Sequence, residues 1–395
     1  MLNNSLSNFV LLPELKLTAC IQEDNHSGRF ECEKLPRLEV CPKCATPSQS
    51  GYDHRTVRIK DSPIRGNGTS LVIRKRRLWC APCKKPFTEP VPGIRKGMRH
   101  TERYQRSVKW ACENFSDLKR VRAAYKCSAS FLYSVYYNQL EKKVKETLSY
   151  SWNSTIGIDE HAFKKCNKTG QTQFVSMIVD YNHRRVRELV LGKTTQDLMM
   201  GLEHIPGREN VKNVIIDMCD PFKNFARHFF SNASLIADKF HVLRLLSPAL
   251  LRKRKEITGD RASLRARKLL LMSAHKLDYS SRSTLYSFLE RYPELEELYR
   301  WKERLHGFYR LKGFNRAVTA FTYMTDEMAK SSLPEIKTLR KTLMKWRVEI
   351  LNYFKTGLTN ARTEGFNNKA KVVKRRGYGY KSFRNYRLKV LTACA

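Results

Sequence analysis

Short apolar runs separated by turn residues fill residues 151–242 and predict alternating strands and helices. The predicted strands are Thr155–Glu160, Gln173–Val179, Val186–Leu191, Val211–Ile216 and Ser234–Ala237. The predicted helices are Thr194–Ile205 and Pro221–Phe230. The resulting order, β-β-β-α-β-α-β, is that of an RNase H-like mixed α/β core, in which three antiparallel strands precede the parallel ones.

Helical periodicity precedes these strands. Ser116 is a suitable N-cap for a helix over Asp117–Tyr125, and Ser128 for a second helix that ends near Leu140. Two short helices with this spacing are typical of a DNA-reading helix-turn-helix, whose second helix enters the major groove. An ordinary α-helical connector would have the same pattern, so both interpretations stay open.

A second helical and charged segment, residues 243–355, follows the strands. It contains predicted helices over Ser263–Leu277 and Pro293–His306. Trp301 and Trp346 also lie in this segment. A tryptophan there could stack on a base flipped out of DNA, but packing in a protein core is the favoured interpretation.

The net charge of the chain indicates what kind of partner it binds. The chain has 395 residues, 41% of them hydrophobic, which is enough for a folded core. Lysine and arginine total 75 against 37 acidic residues, so the formal net charge is +38 and the pI is near 10.0. This excess favours nucleic acid as the partner, because basic side chains release counterions from phosphates. A ribosome-associated or histone-like protein would explain the charge alone.

Membrane and secretory classes fit poorly. No apolar stretch approaches the roughly 18 residues that span a bilayer, and residues 1–8 lack the pattern of a signal peptide. The 11 cysteines do not form a regular disulfide framework. We therefore expect a protein of the reducing bacterial cytoplasm, associated with the nucleoid.

Four cysteines predict a structural zinc site. Cys41 and Cys44 form one Cys-x2-Cys pair, Cys80 and Cys83 form another, and 35 residues separate the pairs. Two such knuckles complete a tetrahedral shell and leave no open position for catalysis. Four reduced, unliganded thiols are the less favoured alternative. Cys20 and Cys32 have no close partner in the sequence and are not expected to be ligands.

Basic residues crowd this zinc ribbon. The intervening segment contains a strand-like run, Ser70–Trp79, which suits the β-hairpin of a ribbon. The basic residues that we expect to contact DNA here are Arg74, Lys75, Arg76 and Arg77, with Lys84 and Lys85 beside them.

Two predicted strands are followed by, or end in, aspartates. Asp159 and Asp217 would lie on neighbouring strands about 4.8 Å apart, close enough to share a metal site. Phosphoryl transfer with a pair of Mg²⁺ ions requires such a carboxylate cluster. Asp220 and Asp238 stand in similar settings, so the sequence alone leaves the choice among these aspartates open.

A third acid, Glu364, lies near the C-terminus. On a helix, Glu364, Asn367 or Asn368, and Lys371 share one face. That face would offer a carboxylate to metal, and amide and ammonium donors to phosphate.

Four segments, IGIDEHAFKK, VIIDMCDPFKNF, IADKFHV and TNARTEGFNNKAKVVKRRGYGYKSFRNYRLKVL, together resemble those of bacterial insertion-sequence transposases with a DDE core and an N-terminal zinc ribbon. The resemblance spans about residues 40–391 and includes the cysteine motif CPKC. It implies that Asp159, Asp217 and Glu364 are the catalytic acids, binding Mg²⁺ or Mn²⁺, with Asp238 and His241 in support. It also implies that residues 243–355 are a helical insertion.

The resemblance predicts an enzyme that binds terminal inverted repeats and joins them to target DNA. Because two ends are handled together, at least a homodimer is expected on DNA. A transposase-derived DNA-binding regulator without catalysis is the alternative, and an RNase H-like nuclease that cuts without joining is a third possibility.

The C-terminal run Arg362–Lys389 has ten basic residues and one acid. Aromatic residues interleave with them, namely Phe366, Tyr378, Tyr380, Phe383 and Tyr386. We expect Lys374, Arg375 and Arg376 to contact DNA, while some of the rings pack into the core.

Five domains or parts of domains are predicted. They are a zinc ribbon region (1–98), a helix-turn-helix domain (99–150), the first part of the catalytic core (151–242), a helical insertion (243–355) and the Glu364-bearing end of the core (356–395).

Overall fold

The computed structural model describes residues 11–115, 117–165, 170–259 and 264–395. The chain divides into two compact units, Met1–Lys142 and Lys143–Ala395. We call them the N-terminal and C-terminal units. The finer division into five parts stays a prediction.

The N-terminal unit begins with β-structure. Its strands are β1 (Leu15–Asp24), β2 (Ser27–Lys34), β3 (Glu39–Val40), β4 (Pro47–Ser48), β5 (Gly51–Ile64), β6 (Asn67–Cys80) and β7 (Lys85–Thr88). One sheet has the order β1-β2-β6-β5, with β7 also paired to β6, while β3 and β4 form a small separate pair. The predicted strand-like run falls inside β6, whose Leu71 and Ile73 are fully buried in the core of the sheet.

Three helices follow in the described residues: α1 (Glu102–Asn114), α2 (Leu118–Ala124) and α3 (Ala129–Thr147). Only α3 extends past the boundary of the unit at Lys142. The predicted cap Ser116 lies outside the described residues, and the side chain of Asp117 caps α2 by accepting from the Lys119 amide. Ser128 caps α3 as predicted, accepting from the Phe131 amide at 3.2 Å. The helix then continues beyond the predicted end at Leu140. Whether this pair reads DNA stays a prediction.

The C-terminal unit contains the predicted mixed sheet. Its strands are β8 (Thr155–Lys165), β9 (Thr172–Asp180), β10 (Arg185–Leu191), β11 (Asn213–Ile216) and β12 (Ser234–Ala237). Their order is β10-β9-β8-β11-β12, antiparallel from β10 to β8 and parallel from β8 to β12. Helices α4 (Thr195–Leu202) and α5 (Asp220–Phe229) alternate with the later strands. The RNase H-like mixed α/β fold is therefore confirmed.

In the described ranges, eight helices lie between β12 and the return of the chain to the sheet. They are α6 (Lys239–Leu243), α7 (Ser247–Thr258), α8 (Leu264–Leu271), α9 (Tyr279–Leu289), α10 (Pro293–Phe308), α11 (Phe314–Ala329), α12 (Pro334–Lys345) and α13 (Arg347–Thr356). Their apolar faces join one continuous core with the sheet. Trp301 and Trp346 are both buried in it, so the core interpretation of these tryptophans is confirmed.

The predicted helix over Ser263–Leu277 is wrong in its extent. α8 ends at Leu271, and a short 3₁₀ turn follows over Ala274–Lys276. The buried ammonium of Lys302, on α10, donates to the carbonyls of Leu270 and Met272 at 2.9 and 2.5 Å. Because an ammonium satisfies these carbonyls, the chain can leave the helix there without losing hydrogen bonds.

Two final helices return to the sheet, α14 (Ala361–Arg376) and α15 (Phe383–Ala393). α14 packs on β8 and β9, and α15 packs on β10. In the described ranges, no helix combines the length and apolarity that crossing a membrane requires.

Candidate active site

Three aspartates form a row across neighbouring strands. Ile158, Ile216 and Ala237 are the last register partners of the parallel strands β8, β11 and β12. Each of these three residues is followed directly by an aspartate: Asp159, Asp217 and Asp238, respectively. Since neighbouring strands lie about 4.8 Å apart, this register places three carboxylates along one edge.

The structure corrects one detail of this row. The predicted strand ended at Glu160, but β8 continues to Lys165 by pairing with β9 alone. Asp159 thus lies inside β8, at the point where its pairing with β11 stops. Asp220 is not in the row: it lies in the first turn of α5, exposed, with its carboxylate 2.6 Å from the Lys345 ammonium.

A histidine joins two of the aspartates. Nδ1 of His241 lies 3.0 Å from a carboxylate oxygen of Asp217 and 3.0 Å from one of Asp238. One potential ligand atom from each of the three residues lies within 4.8 Å of the others. A hydrogen bond with Asp238 raises the pKa of His241, and the negative charges of Asp217 and Asp159 act in the same direction against burial. The acids thus favour the protonated form of His241, whose positive charge would offset part of theirs.

Asp217 and Asp159 interact strongly. Burial raises the pKa of Asp217 to about 8, with help from the charge of Asp159 and a hydrogen bond between the two side chains. Burial by itself would raise the pKa of Asp238. Hydrogen bonds from His241 and from the backbone N–H of Asn360 outweigh burial and lower that pKa. Two carboxylates this close share a proton or a cation, which is the electrostatic setting that a divalent ion fits.

Two amides tie α14 to the aspartates. Nδ2 of Asn360 donates to Asp217 at 3.1 Å and to the Ile158 carbonyl at 3.2 Å. About two turns later, Nδ2 of Asn367 donates to Asp159 at 2.6 Å. The amide of Asn367 therefore positions an acid, instead of facing phosphate as the sequence suggested.

A buried histidine extends this support. The side-chain oxygen of Asn367 lies 2.9 Å from Nδ1 of His161, whose Nε2 lies 2.7 Å from the Tyr386 hydroxyl on α15. Burial lowers the pKa of His161, which keeps the ring neutral, with one nitrogen donating and the other accepting. Tyr386, His161, Asn367 and Asp159 thus form one hydrogen-bonded chain.

Glu364 lies on the same face of α14 as Asn360 and Asn367, because these residues are four and three positions apart. Its side chain is exposed, as are those of Asn368 and Lys371. Glu364 is not a member of the group formed by Asp217, Asp238 and His241. Its role as the third acid stays a prediction, which its helical face supports.

Sequence reasoning missed Asn360, His161 and Tyr181. The hydroxyl of Tyr181, which follows β9, donates to the Thr359 carbonyl at 2.9 Å and lies 3.1 Å from the Thr363 hydroxyl. One signal was available for His161: residues two apart on a strand share a face, so His161 lies on the side of Asp159. The contacts of Asn360 and Tyr181 join segments far apart in the sequence, so no local sequence pattern predicts them.

A glycine allows α14 to approach β8. A Cβ atom on Gly157 would lie 2.3 Å from the Thr363 hydroxyl and 2.6 Å from the Tyr181 ring. We expect Gly157→Ala to lower the free energy of unfolding by about 1–3 kcal/mol, because overpacking must displace α14. Gly365→Ala is the control, since its Cβ would meet nothing within 4 Å and alanine favours a helix by up to about 1 kcal/mol. Urea unfolding of both variants checks this, and equal stability would contradict it.

Metal binding should depend on pH through Asp217. Its folded-state pKa, about 8, lies above the ordinary value of 3.8, so without metal the folded protein loses stability as pH rises from about 4 to about 8. A divalent ion must displace that proton, so the Mg²⁺-induced rise in Tm should be larger at about pH 8 than at about pH 6. Thermal unfolding at both pH values tests this. The increment should lose its pH dependence in Asp217→Asn, and an equal increment in the unchanged protein would contradict the prediction.

The four predicted zinc ligands come together in the N-terminal unit. The sulfur atoms of Cys41, Cys44, Cys80 and Cys83 all lie within 4.8 Å of one another, and those of Cys44 and Cys80 are 3.4 Å apart. A tetrahedral zinc site with bonds of about 2.3 Å needs sulfurs about 3.8 Å apart, so the cluster fits. A side-chain hydrogen bond with Thr46 lowers the pKa of Cys44 to about 6, which favours the thiolate.

The basic residues on β6 have partners inside the unit. Arg76 forms an ion pair at 2.9 Å with buried Glu89, and Arg77 forms one at 2.8 Å with Asp53. Arg74 lies 3.4 Å from Glu33. Burial lowers the pKa of Lys75. Lys84 and Lys85 are exposed beside the knuckle. Contact of these residues with DNA stays a prediction.

Comparison with known proteins matches two regions of the chain, the ribbon and the unit that holds the row of aspartates. A sequence profile for the zinc finger of transposases of the IS204, IS1001, IS1096 and IS1165 type matches residues 37–83. The transposase profile of the ISL3 DDE type matches residues 156–390, more than half of the chain. The chain belongs to the ISL3 family of transposases.

One relative of this transposase shows how far the similarity extends. The chain is 23% identical over 370 residues to the transposase for insertion sequence element IS1001 of Bordetella parapertussis, covering 90% of this chain and 89% of the relative. The resemblance inferred from the sequence is therefore confirmed, and the ribbon match together with the four cysteines supports a structural zinc ion.

Proposed function

We propose that this transposase binds the terminal inverted repeats of its element and performs Mg²⁺-dependent strand cleavage and strand transfer. The observation that carries the proposal is the joining of Asp159 and Asp217, through Asn367 and Asn360, to the helix that bears Glu364. A two-ion phosphoryl-transfer site requires these three segments to converge, although they lie far apart in the sequence.

Asp159, Asp217 and Glu364 would hold the divalent ion, Mg²⁺ or Mn²⁺. When bound, the ion supplies Lewis-acid stabilisation of the attacking and leaving oxygens. Asn367 fixes the orientation of the Asp159 carboxylate, and His241 balances the charge of Asp217 and Asp238. The ammonium of Lys371, on the Glu364 face of α14, is free to reach a phosphate.

The chemistry is two in-line phosphoryl transfers. A water oxygen attacks the phosphorus at the element end, and the departing 3′ oxygen takes up a proton to become a hydroxyl. That 3′ hydroxyl then attacks a target phosphate and releases a second 3′ hydroxyl. No covalent protein intermediate is needed, since the two steps differ only in nucleophile.

Binding of the DNA ends would fall to the basic zinc ribbon and the α2–α3 pair, with Lys374, Arg375 and Arg376 near the core. The net charge of +38 supports a polyanionic partner in the nucleoid. Because both ends must be held during joining, we propose at least a dimer on DNA.

The decisive experiment is a strand-transfer assay with labelled DNA from the boundaries of the element, an unlabelled target and Mg²⁺. The proposal expects a free 3′ end, followed by a joined product. Binding of the ends without any Mg²⁺-dependent cut would instead identify a DNA-binding regulator. Cutting without joining would identify a nuclease.

A further inference from the structure

The exposed face of α14 is a polar stripe. Glu364, Asn368, Lys371 and Arg375 follow one another at intervals of three or four residues, and all four side chains are exposed. The adjoining row of side chains, one residue earlier along the helix, is buried: Thr363, Asn367 and Ala370. No carboxylate in the described part of the chain forms an ion pair with Lys371 or Arg375, so their charges remain available.

The stripe ends at an unusually exposed ring. Tyr378, which lies just beyond the end of α14, is 90% exposed and has a φ of +51°. A bulky side chain is strained in this left-handed region, which glycine adopts freely. Glycines occupy both neighbouring positions, Gly377 and Gly379. A tyrosine thus stands where the fold alone would favour a third glycine.

The loop around Tyr378 is held in a defined shape. The amides of Tyr378 and Gly379 donate to the carbonyls of Arg375 and Lys374 at 3.1 and 2.9 Å. The second tyrosine of the loop, Tyr380, is turned inward against Tyr386, with ring centroids 5.4 Å apart. Within the described ranges, no other ring stacks on Tyr378. The loop therefore presents one free aromatic face next to a cationic helix end.

We propose that Tyr378 stacks on an unpaired base of a DNA strand that follows the stripe from Glu364 to Arg375. Cations that track phosphates and a ring that accepts a base are the combination that binds single-stranded DNA. Twelve helical positions separate Glu364 from the end of α14 at Arg376, about 18 Å at about 1.5 Å per residue, and Tyr378 lies two residues further on. At about 3.4 Å per nucleotide, the stacked base lies roughly six nucleotides from the reacting phosphate. This spacing rests on the proposed function, because it is counted from Glu364 as a residue of the reaction site.

The backbone strain at Tyr378 allows its ring to be removed without destabilising the fold. Tyr378→Gly removes the ring and relieves the backbone, so it should fold at least as stably as the unchanged protein. Tyr378→Phe keeps a ring and should bind normally. Tyr279→Ala is the matched control, since Tyr279 is 89% exposed and belongs to α9, not to the stripe or its loop.

The probe is a pre-cut element end that carries 2-aminopurine at single positions on either side of the cut. We expect Tyr378→Gly to weaken binding roughly tenfold, and the fluorescence change to occur on one side only, roughly six nucleotides from the cut. Unchanged binding by Tyr378→Gly, or a signal at other positions, overturns the proposal. Equal losses in Tyr378→Phe or Tyr279→Ala also overturn it.

The same protein, given uncut ends and Mg²⁺, tests the proposed function separately. Cleavage without the positional signal would overturn the stacking site and leave the transposase chemistry intact. The signal without cleavage would support the stacking site and contradict the chemistry.

Discussion

Asp217→Asn is expected to abolish strand cleavage while leaving the binding of element ends unchanged. The amide has the shape of the carboxylate, so Asn360 and His241 keep a neighbour of the same size. It lacks the charge that binds a divalent ion, and loss of transition-state electrostatics should lower the cleavage rate by roughly a hundred- to a thousandfold or more. Single-turnover cleavage in Mg²⁺ measures the effect, with an electrophoretic shift assay for binding.

Asp220→Asn is the control for this substitution. Asp220 lies three residues away, has the same side chain and is paired with Lys345 on the surface. It should cleave at nearly the normal rate, because exposed ion pairs contribute little. Glu364→Gln should match Asp217→Asn if the stripe face completes the metal site. Normal cleavage by Asp217→Asn, or a loss in Asp220→Asn alone, would contradict the assignment of the acids.

Local pattern located candidate acids at the ends of sheet strands but could not choose among them. Apolar runs that stop at a charged residue mark where parallel strands leave the core, and Asp159 and Asp217 follow such runs. The pattern could not separate Asp217 from Asp220, since both belong to the same strand-to-helix turn. Only the register of β8, β11 and β12 does so, because it pairs Ile158 with Ile216.

The supporting contacts were beyond sequence reasoning for a different reason. Asn360 bonds to Asp217 across 143 positions, and Asn367 bonds to Asp159 across 208. No periodicity within a helix or strand encodes such a pair. The extension of β8 beyond Glu160 was also hidden, because its outer half pairs on one side only and carries polar residues. The Glu364 helix was proposed from the spacing of Glu364, Asn367 or Asn368, and Lys371, and the family resemblance then assigned Glu364 its role.

Removal of zinc is expected to unfold the ribbon and to weaken element-end binding about a thousandfold or more, toward the non-specific level. The ribbon core around the cysteines is small: Leu78 and Phe87 are the other buried apolar residues in it. A core of this size cannot offset the conformational entropy of ordering the knuckles without metal. Cys80→Ser should have the same effect, measured by binding and by zinc content.

Cys20→Ser is the matched control, because Cys20 is an exposed cysteine outside the sulfur cluster. It should retain zinc and bind normally. The C-terminal unit has its own core, so Cys80→Ser should keep a thermal transition that Mg²⁺ still shifts. Loss of that transition would mean that the ribbon stabilises the catalytic core directly. Full end binding by zinc-free protein would place sequence recognition elsewhere, with the α2–α3 pair as the first region to test.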